Sequence, residues 1–359
     1  AGSLGGRTST VGGNTPASGV VAPGMSPRVP LSILDLVPVS QGHSRHDAFE
    51  ASADLARAAD RLGYERYWVA EHHGSETFMA SATSLVLGYL AERTERIRLG
   101  SGGVMLPNHS PLMVAEYYGT LATIYGSRFD LGLGRAPGTD PMTAAALQRH
   151  HGELDTFAND VADLRRYLGE PVGSRVRAIP GEGTKVPLWM LGSSLGGAQV
   201  AAVLGLPYAF ASHFAPDSLD QALALYRQEY TPSAEQPEPH TMAGVNVLVA
   251  PSQDEAEYLF STSQLMRVRI RTGQLAPLDP PVPDVRELVH ESARYLVGEP
   301  SGPATMVGTP DAVVAQLEAF VERTGVDELI VTTYTHDPAL RIRSFELLAS
   351  AWEPAAVGV

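Results

Sequence analysis

The sequence predicts an α/β protein of the (β/α)8 TIM-barrel class. Two observations carry this. Between Leu31 and Trp352, eight short apolar runs alternate with longer segments of helical period. The runs are apolar throughout, the pattern of parallel strands covered on both faces. Eight such units close most naturally into a barrel. A doubly wound open sheet is the alternative that the same pattern allows.

The first strand is LSILDLV, Leu31–Val37. The helix after it begins at SRHD, where Ser44 and Asp47 have capping-box spacing. Leu55, Ala59 and Leu62 share one face, and Gly63 stops it. RYWVA is the second strand, and its helix runs from about Ser81 to Arg93. RIRLGSG is the third, followed by a helix with Ser110 as N-cap and Pro111 at its first position. RFDLGLG is the fourth, and one long helical stretch from Thr143 to Leu168 is expected behind it. A basic loop, Arg175 to Lys185, leads to the fifth unit, PLWMLG with GGAQVAAVLG. PYAFAS with SLDQALALYRQEY is the sixth, and TMAGVNVLVA with SQDEAEYLFSTSQLMRVRIRTG the seventh. A Pro-rich insertion, Thr272–Leu288, follows the seventh strand. It is either a cover over the site or a surface excursion. TPDAVVAQLEAFVERTG, the strand DELIVTT and the helix RIRSFELLASAW complete the chain.

Composition narrows the function. The 359 residues are long for one simple core but suit a barrel. A net charge of −14 repels phosphate backbones, which argues against nucleic acid as a partner. The chain has no cysteine, which excludes disulfides, thiolate metal sites and thiol nucleophiles and fits a cytoplasmic setting. No apolar run reaches the roughly 18–20 residues of a membrane span. Residues 1–27 are rich in Gly, Ser and Thr. They are expected to form a flexible tail, with Met25 a natural start, ahead of a single domain over 28–359.

In a barrel, chemistry gathers where strands end. The second strand ends in AEHH. Adjacent residues of a strand point to opposite faces, so His72 and His73 do not make a metal pair, and no metal site is expected. A single imidazole suits proton transfer, with Glu71 helping to hold a loop or ligand; a capping histidine is the plainer reading. The third strand ends in GSGGVMLPNH, where Gly102 and Gly103 mark either a bulge or a backbone approached by a flat ring. The fourth ends in GLGRAPG, which is not a dinucleotide fingerprint, but Arg135 can fork onto a phosphate. The fifth ends in LGSSLGG, where Ser193, Ser194, Leu195, Gly196 and Gly197 lead into a helix whose first N–H groups suit an anion. A surface ion pair for Arg135 and an ordinary serine cap are the plainer readings.

Together, WVAEHH, IRLGSGGVMLPNHSPLMVAEYYGTL, SRFDLGLGRAPG, LGSSLGGAQVAAVLGLP and GTPDAVVAQLEAF with GVDELIV resemble the bacterial luciferase-like monooxygenases, over nearly all of Leu31 to Trp352. The resemblance implies a barrel that uses reduced FMN from a separate flavin reductase. O2 would be the co-substrate, adding at the flavin C4a to give a peroxyflavin that oxygenates an aldehyde, ketone or polycyclic aromatic. It implies His72 as the catalytic histidine and Glu71 as its neighbour in the flavin pocket. Gly102 and Gly103 would be joined by a cis peptide under the ring, with Arg135, Ser193, Ser194, Leu195, Gly196 and Gly197 around the phosphate. Leu36 and Leu191 complete the implied cofactor set. Gly134 stands where light-emitting members carry a cysteine, so light emission is not implied. His43, Phe78, Met105, His109, His213 and Tyr334 are candidates to line the pocket. A homodimer through the second and third helices is implied by analogy. An F420-dependent oxidoreductase of the same fold and a non-catalytic flavin carrier remain as alternatives, with a metal-dependent hydrolase resting on the histidines alone.

Overall fold

A computed structural model describes residues 2, 28–136, 139–147 and 154–352. The expected tail, residues 1–27, lies outside the described residues apart from Gly2, as do Pro137 and Gly138. Nine strands form one parallel sheet: β1 (Leu31–Asp35), β2 (Arg66–Val69), β3 (Arg98–Met105), β4 (Phe129–Gly134), β5 (Leu188–Gly192), β6 (Tyr208–Phe210), β7 (Thr241–Val249), β8 (Thr305–Gly308) and β9 (Glu328–Thr332). Each of β1 to β7 pairs with the next, β7 pairs with β9, and β9 pairs with β1, so eight strands close a barrel. This excludes the open sheet.

The sequence did not announce β8. It is four residues long and pairs with the far half of β7, Asn246 to Val249, outside the closed ring. The single helix expected over Thr143 to Leu168 is not formed. Asp140 caps a short α4 (Pro141–Ala146) through the N–H groups of Met142 and Thr143, and α5 (Leu154–Leu168) is separate.

Helix ends follow local rules. In α1 (Arg45–Leu62) the Ser44 hydroxyl accepts from the Asp47 N–H, and the Asp47 carboxylate accepts from the Ser44 N–H. Gly63, Gly273 and Gly325 close α1, α8 (Gln253–Thr272) and α9 (Pro310–Thr324) in left-handed conformations that a side chain would strain.

Alternation along the strands sorts the interior into layers. At the N-terminal end Arg66 pairs with Glu328 (Nε to Oε1, 3.0 Å) and Asp130 (Nη1 to Oδ2, 2.8 Å), and Arg98 joins Asp130. Buried charges are tolerated only when paired this closely. Above them Trp68 and Trp189 meet edge to face at 5.2 Å, packed with Leu34, Met242 and Ile330. These two layers plug the barrel, so only the C-terminal mouth can admit a ligand.

The stretch between β7 and α9 covers that mouth. Met266 and Ile270 of α8 pack with Tyr334 and Phe78, and Ser263 Oγ donates to the Tyr334 carbonyl at 3.0 Å. Within the Pro-rich insertion Leu278 is zipped to the loop after β1, donating to Val39 O and accepting from Gln41 N. Thr77 Oγ1 donates to Ala276 O at 2.7 Å. The insertion is therefore a cover rather than a surface excursion.

Candidate functional site

Glu71, one residue past Ala70 at the end of β2, is buried. Its carboxylate meets His73 Nε2 at 2.7 Å and His109 Nε2 at 2.9 Å, and accepts from the Met105 N–H at 3.0 Å and Asn108 Nδ2 at 3.3 Å. Burial alone would raise its pKa, but the hydrogen bonds from His109 and His73 bring it down to about 2. The ionised carboxylate thus ties the loop after β2 to the loop after β3.

His72 points elsewhere. Its N–H donates to Ala80 O at 2.8 Å, and its ring lies 5.3 Å from Phe78, which in turn lies 6.2 Å from Tyr334. Its Nδ1 is buried with no partner. Burial pushes its pKa down to about 4, so at neutral pH the ring is uncharged and that nitrogen can take a proton.

The neighbouring strands offer bare backbone. The Gly102–Gly103 peptide is cis, and the β3–β4 register shifts between Ser101 and Val104. The bulge anticipated as one reading is therefore present. A methyl group on Gly102 would stand 2.6 Å from Leu34 Cδ1, and one on Gly132 2.1 Å from the Ser101 carbonyl oxygen. Side chains are excluded from this wall because Leu34, Trp68 and the facing backbone of β3 and β4 already fill the space, so glycine lets the two strands approach closely. Leu36, the residue after β1, is buried in the same apolar cluster as Leu34 and Trp68, and Leu191 packs over Gly132.

Arg135 follows β4 directly, and Ser193 and Ser194 follow β5. The two strands are neighbours in register, Leu133 opposite Met190, so the arginine and the serine turn stand level at the same end of the barrel. Ser194 caps α6 (Leu195–Leu204) by position, but its side chain makes no cap hydrogen bond. Ser193, Ser194 and Leu195 are exposed, and the N–H groups of Leu195, Gly196 and Gly197 head the helix. A hydroxyl not committed to capping favours the anion reading over the plain cap.

The other pocket candidates divide. Phe78 and Tyr334 lie together next to His72, and the Met105 thioether lies over Gly134 at the end of β4. His109 belongs to the Glu71 cluster, and His43 is exposed beside His336. His213 lies over Gly244 of β7 with its Nδ1 buried and unpartnered. Arg267, on α8, was not singled out from the sequence, where it reads as one of several cations on a helix. Beside the adjacent histidines, the spacing of Glu71 and His73, two apart, also puts two potential ligands together, and their side chains meet at 2.7 Å. With His109 they bring three donor atoms within 4.8 Å of one another. The carboxylate there already has four hydrogen-bond donors, which accounts for the cluster without an ion. Two surface grooves, of about 540 and 310 Å3, are lined by none of the candidate site residues. Arg323 in the larger is paired with Asp220, and neither groove gathers unsatisfied polar groups.

Four neighbouring strand ends, β2 to β5, thus carry in turn a histidine, a glycine backbone, an arginine and a hydroxyl turn on a closed (β/α)8 barrel. Residues 29–328 match the family model for luciferase-like monooxygenases, and the chain belongs to that family. It is 46% identical over 321 residues to a luciferase-like monooxygenase of Escherichia coli (strain K12), covering 89% of this chain and 96% of that one. The structure of apo-MsnO8 superposes with a TM-score of 0.81 at 35% identity, over 90% of this chain and 98% of that one. More distant barrels share the fold at a TM-score of 0.65. They are the oxygenating constituent of 3,6-diketocamphane monooxygenase from Pseudomonas putida in complex with FMN, at 17% identity, and an F420-dependent secondary alcohol dehydrogenase at 16%. These cover 90% and 91% of this chain and 97% and 100% of their own.

Proposed function

We propose that the protein binds reduced FMN, supplied by a separate flavin reductase, and uses O2 to oxygenate a small organic substrate. The observation that carries this is the level placement of Arg135 and the Ser193–Ser194 turn at the ends of adjacent strands, with the Gly102–Gly103 wall and His72 continuing the same rim. That order can seat a phosphate at one end and a planar ring at the other. The FMN complex of the Pseudomonas putida relative lends support by analogy of fold.

Reduced flavin, when bound, supplies the electrons and activates the oxygen. The chain's own residues do the rest. The Arg135 guanidinium and the N–H groups of α6 neutralise and orient the phosphate. His72 Nδ1 holds or releases the proton that the reaction moves. α8 and the Pro-rich insertion keep water from the covered mouth. Leu85 on α2 (Thr83–Ala91) and Met113, Tyr117 and Ile124 on α3 (Pro111–Tyr125) are exposed, which supports a homodimer through these helices.

Anaerobic titration with reduced FMN and with reduced F420, metal analysis of the same sample, and then admission of O2 test this reading. Reduced FMN should bind, Arg135→Ala should weaken it about tenfold or more, and bound flavin should reoxidise with kinetics unlike those of free flavin. Preference for F420 would replace the proposal with hydride transfer. Flavin binding with unaltered oxygen chemistry would indicate a carrier.

A further inference from the structure

Across the mouth from those four strand ends, on the side of β6, β7 and β9, stand polar groups that a cofactor seated on β3 to β5 does not explain. His213 follows β6. Its Nδ1 is buried without a partner, and its ring fills the space over Gly244, where an added methyl would lie 2.1 Å from that nitrogen. Asn246 Nδ2 fixes the His213 carbonyl at 2.7 Å, so the ring is held in place. Arg267 comes from the covering helix α8. Its Nη2 is buried and makes no hydrogen bond, and among the described residues no carboxylate pairs with it. Its guanidinium leans on Phe260, with Cζ 5.1 Å from the ring. The nearest like charge is Arg271, which adds repulsion.

This is unusual for the molecule. The chain carries 40 acidic and 26 basic residues. Arg66, Arg98, Arg269 and Arg341 each have a carboxylate within 3 Å. Arg267 is half-buried with its Nη2 fully covered, and a covered cation without a counter-charge lowers stability unless an external anion completes it. Burial brings the Arg267 pKa down to about 10, so the group stays charged at neutral pH. Met266 and Ile270, which flank Arg267 on α8, pack with Ile330, the β9 partner of the Gly244 that the His213 ring covers, and with Phe78, the neighbour of His72, so the arginine and both histidines border the same part of the mouth.

We propose that this half of the mouth is a carboxylate site, in which the Arg267 fork and His213 Nδ1 bind the acid group of the substrate. The substrate is then a small organic acid whose apolar body lies along Phe78 and Tyr334 toward His72. The inference rests on reading the mouth as the oxygenation site, and it adds the class of molecule that enters.

Octanoate and 2-naphthoate, each against its primary amide, are the probes, titrated into the full chain by calorimetry with and without reduced FMN. At least one acid should bind tenfold or more tightly than its amide. Arg267→Met should abolish that preference, Arg267→Lys should restore part of it, and reduced-FMN binding should be unchanged in both. Without ligand, Arg267→Met should melt at or above the wild-type temperature, because an unpaired buried charge has been removed. Equal binding of acids and amides, no binding of either acid, an undiminished preference in Arg267→Met, or a melting temperature several degrees lower each overturns the proposal. If the acids bind but reduced FMN does not, the cofactor reading fails and the carboxylate site stands. The converse result separates the two the other way.

Discussion

His109 Nε2 lies 2.9 Å from Oε1 of Glu71, across 38 positions of sequence, and so locks the loop after β3 onto the end of β2. Around that pair the carboxylate is fully engaged, and His72, next in the chain, is left with an idle nitrogen.

Glu71→Gln should destabilise the protein at neutral pH, because an amide NH2 would face the groups that now donate to the carboxylate. In the wild type the pKa is depressed from 4.5 to about 2, on the order of 3 kcal/mol of stability. A depressed carboxylate stabilises above its unfolded pKa, and the contribution is lost as pH falls from about 4.5 toward 2. Urea unfolding at pH 7 should show the variant weaker by a few kcal/mol. Equal midpoints would remove the carboxylate from the account.

His72→Ala should leave reduced-FMN affinity within about threefold, yet change the reaction of bound flavin with O2 or substrate by on the order of a hundredfold. Stopped-flow reoxidation measures both. A rate equal to wild type would end the proton-handling role.

Acid sensitivity should begin earlier than carboxylates alone would cause. His72 and His213 are both held at about 4 by burial, against 6.5 when exposed. The unfolded chain therefore binds more protons between these values, and stability falls as pH drops from 6.5 toward 4. His213→Asn should flatten the melting temperature against pH over that window. Parallel curves for variant and wild type would show that His213 does not titrate as described.

Two glycines of the wall should differ. Gly132→Ala places a methyl 2.1 Å from a backbone oxygen, which cannot move without shifting β3, and a loss of more than about 3 kcal/mol is expected. Gly102→Ala meets the Cδ1 of Leu34 at 2.6 Å, a side-chain tip that can turn aside, and about 1–3 kcal/mol is expected. Denaturant titration of the pair tests the ordering, and the reverse order would contradict the close approach of β3 and β4.

No helix among the described residues is long and apolar enough to cross a membrane, in keeping with the lack of long apolar runs in the sequence. The legible parts of the fold were those set by neighbours in the chain. The Ser44–Asp47 box, the glycine stops and eight of the nine expected helical segments depend on contacts within a few residues, so their spelling sufficed. β8 was hidden because four residues give no period, and its formation depends on the exposed edge of β7. The end of α4 at Ala146 was hidden because its alanines favour helix and no glycine or proline directly after it spells a stop.

By itself the sequence determined the barrel, the strand ends where chemistry could stand, and the residue types waiting there, because period and capping are local properties. Only the tertiary structure decided which of those residues meet. Glu71 finds His109, Arg66 finds Glu328 past the intervening β1, and Arg267 is left without a carboxylate among the described residues. Such pairings depend on barrel closure and on the lie of α8 over the mouth. A one-dimensional pattern does not encode these distances.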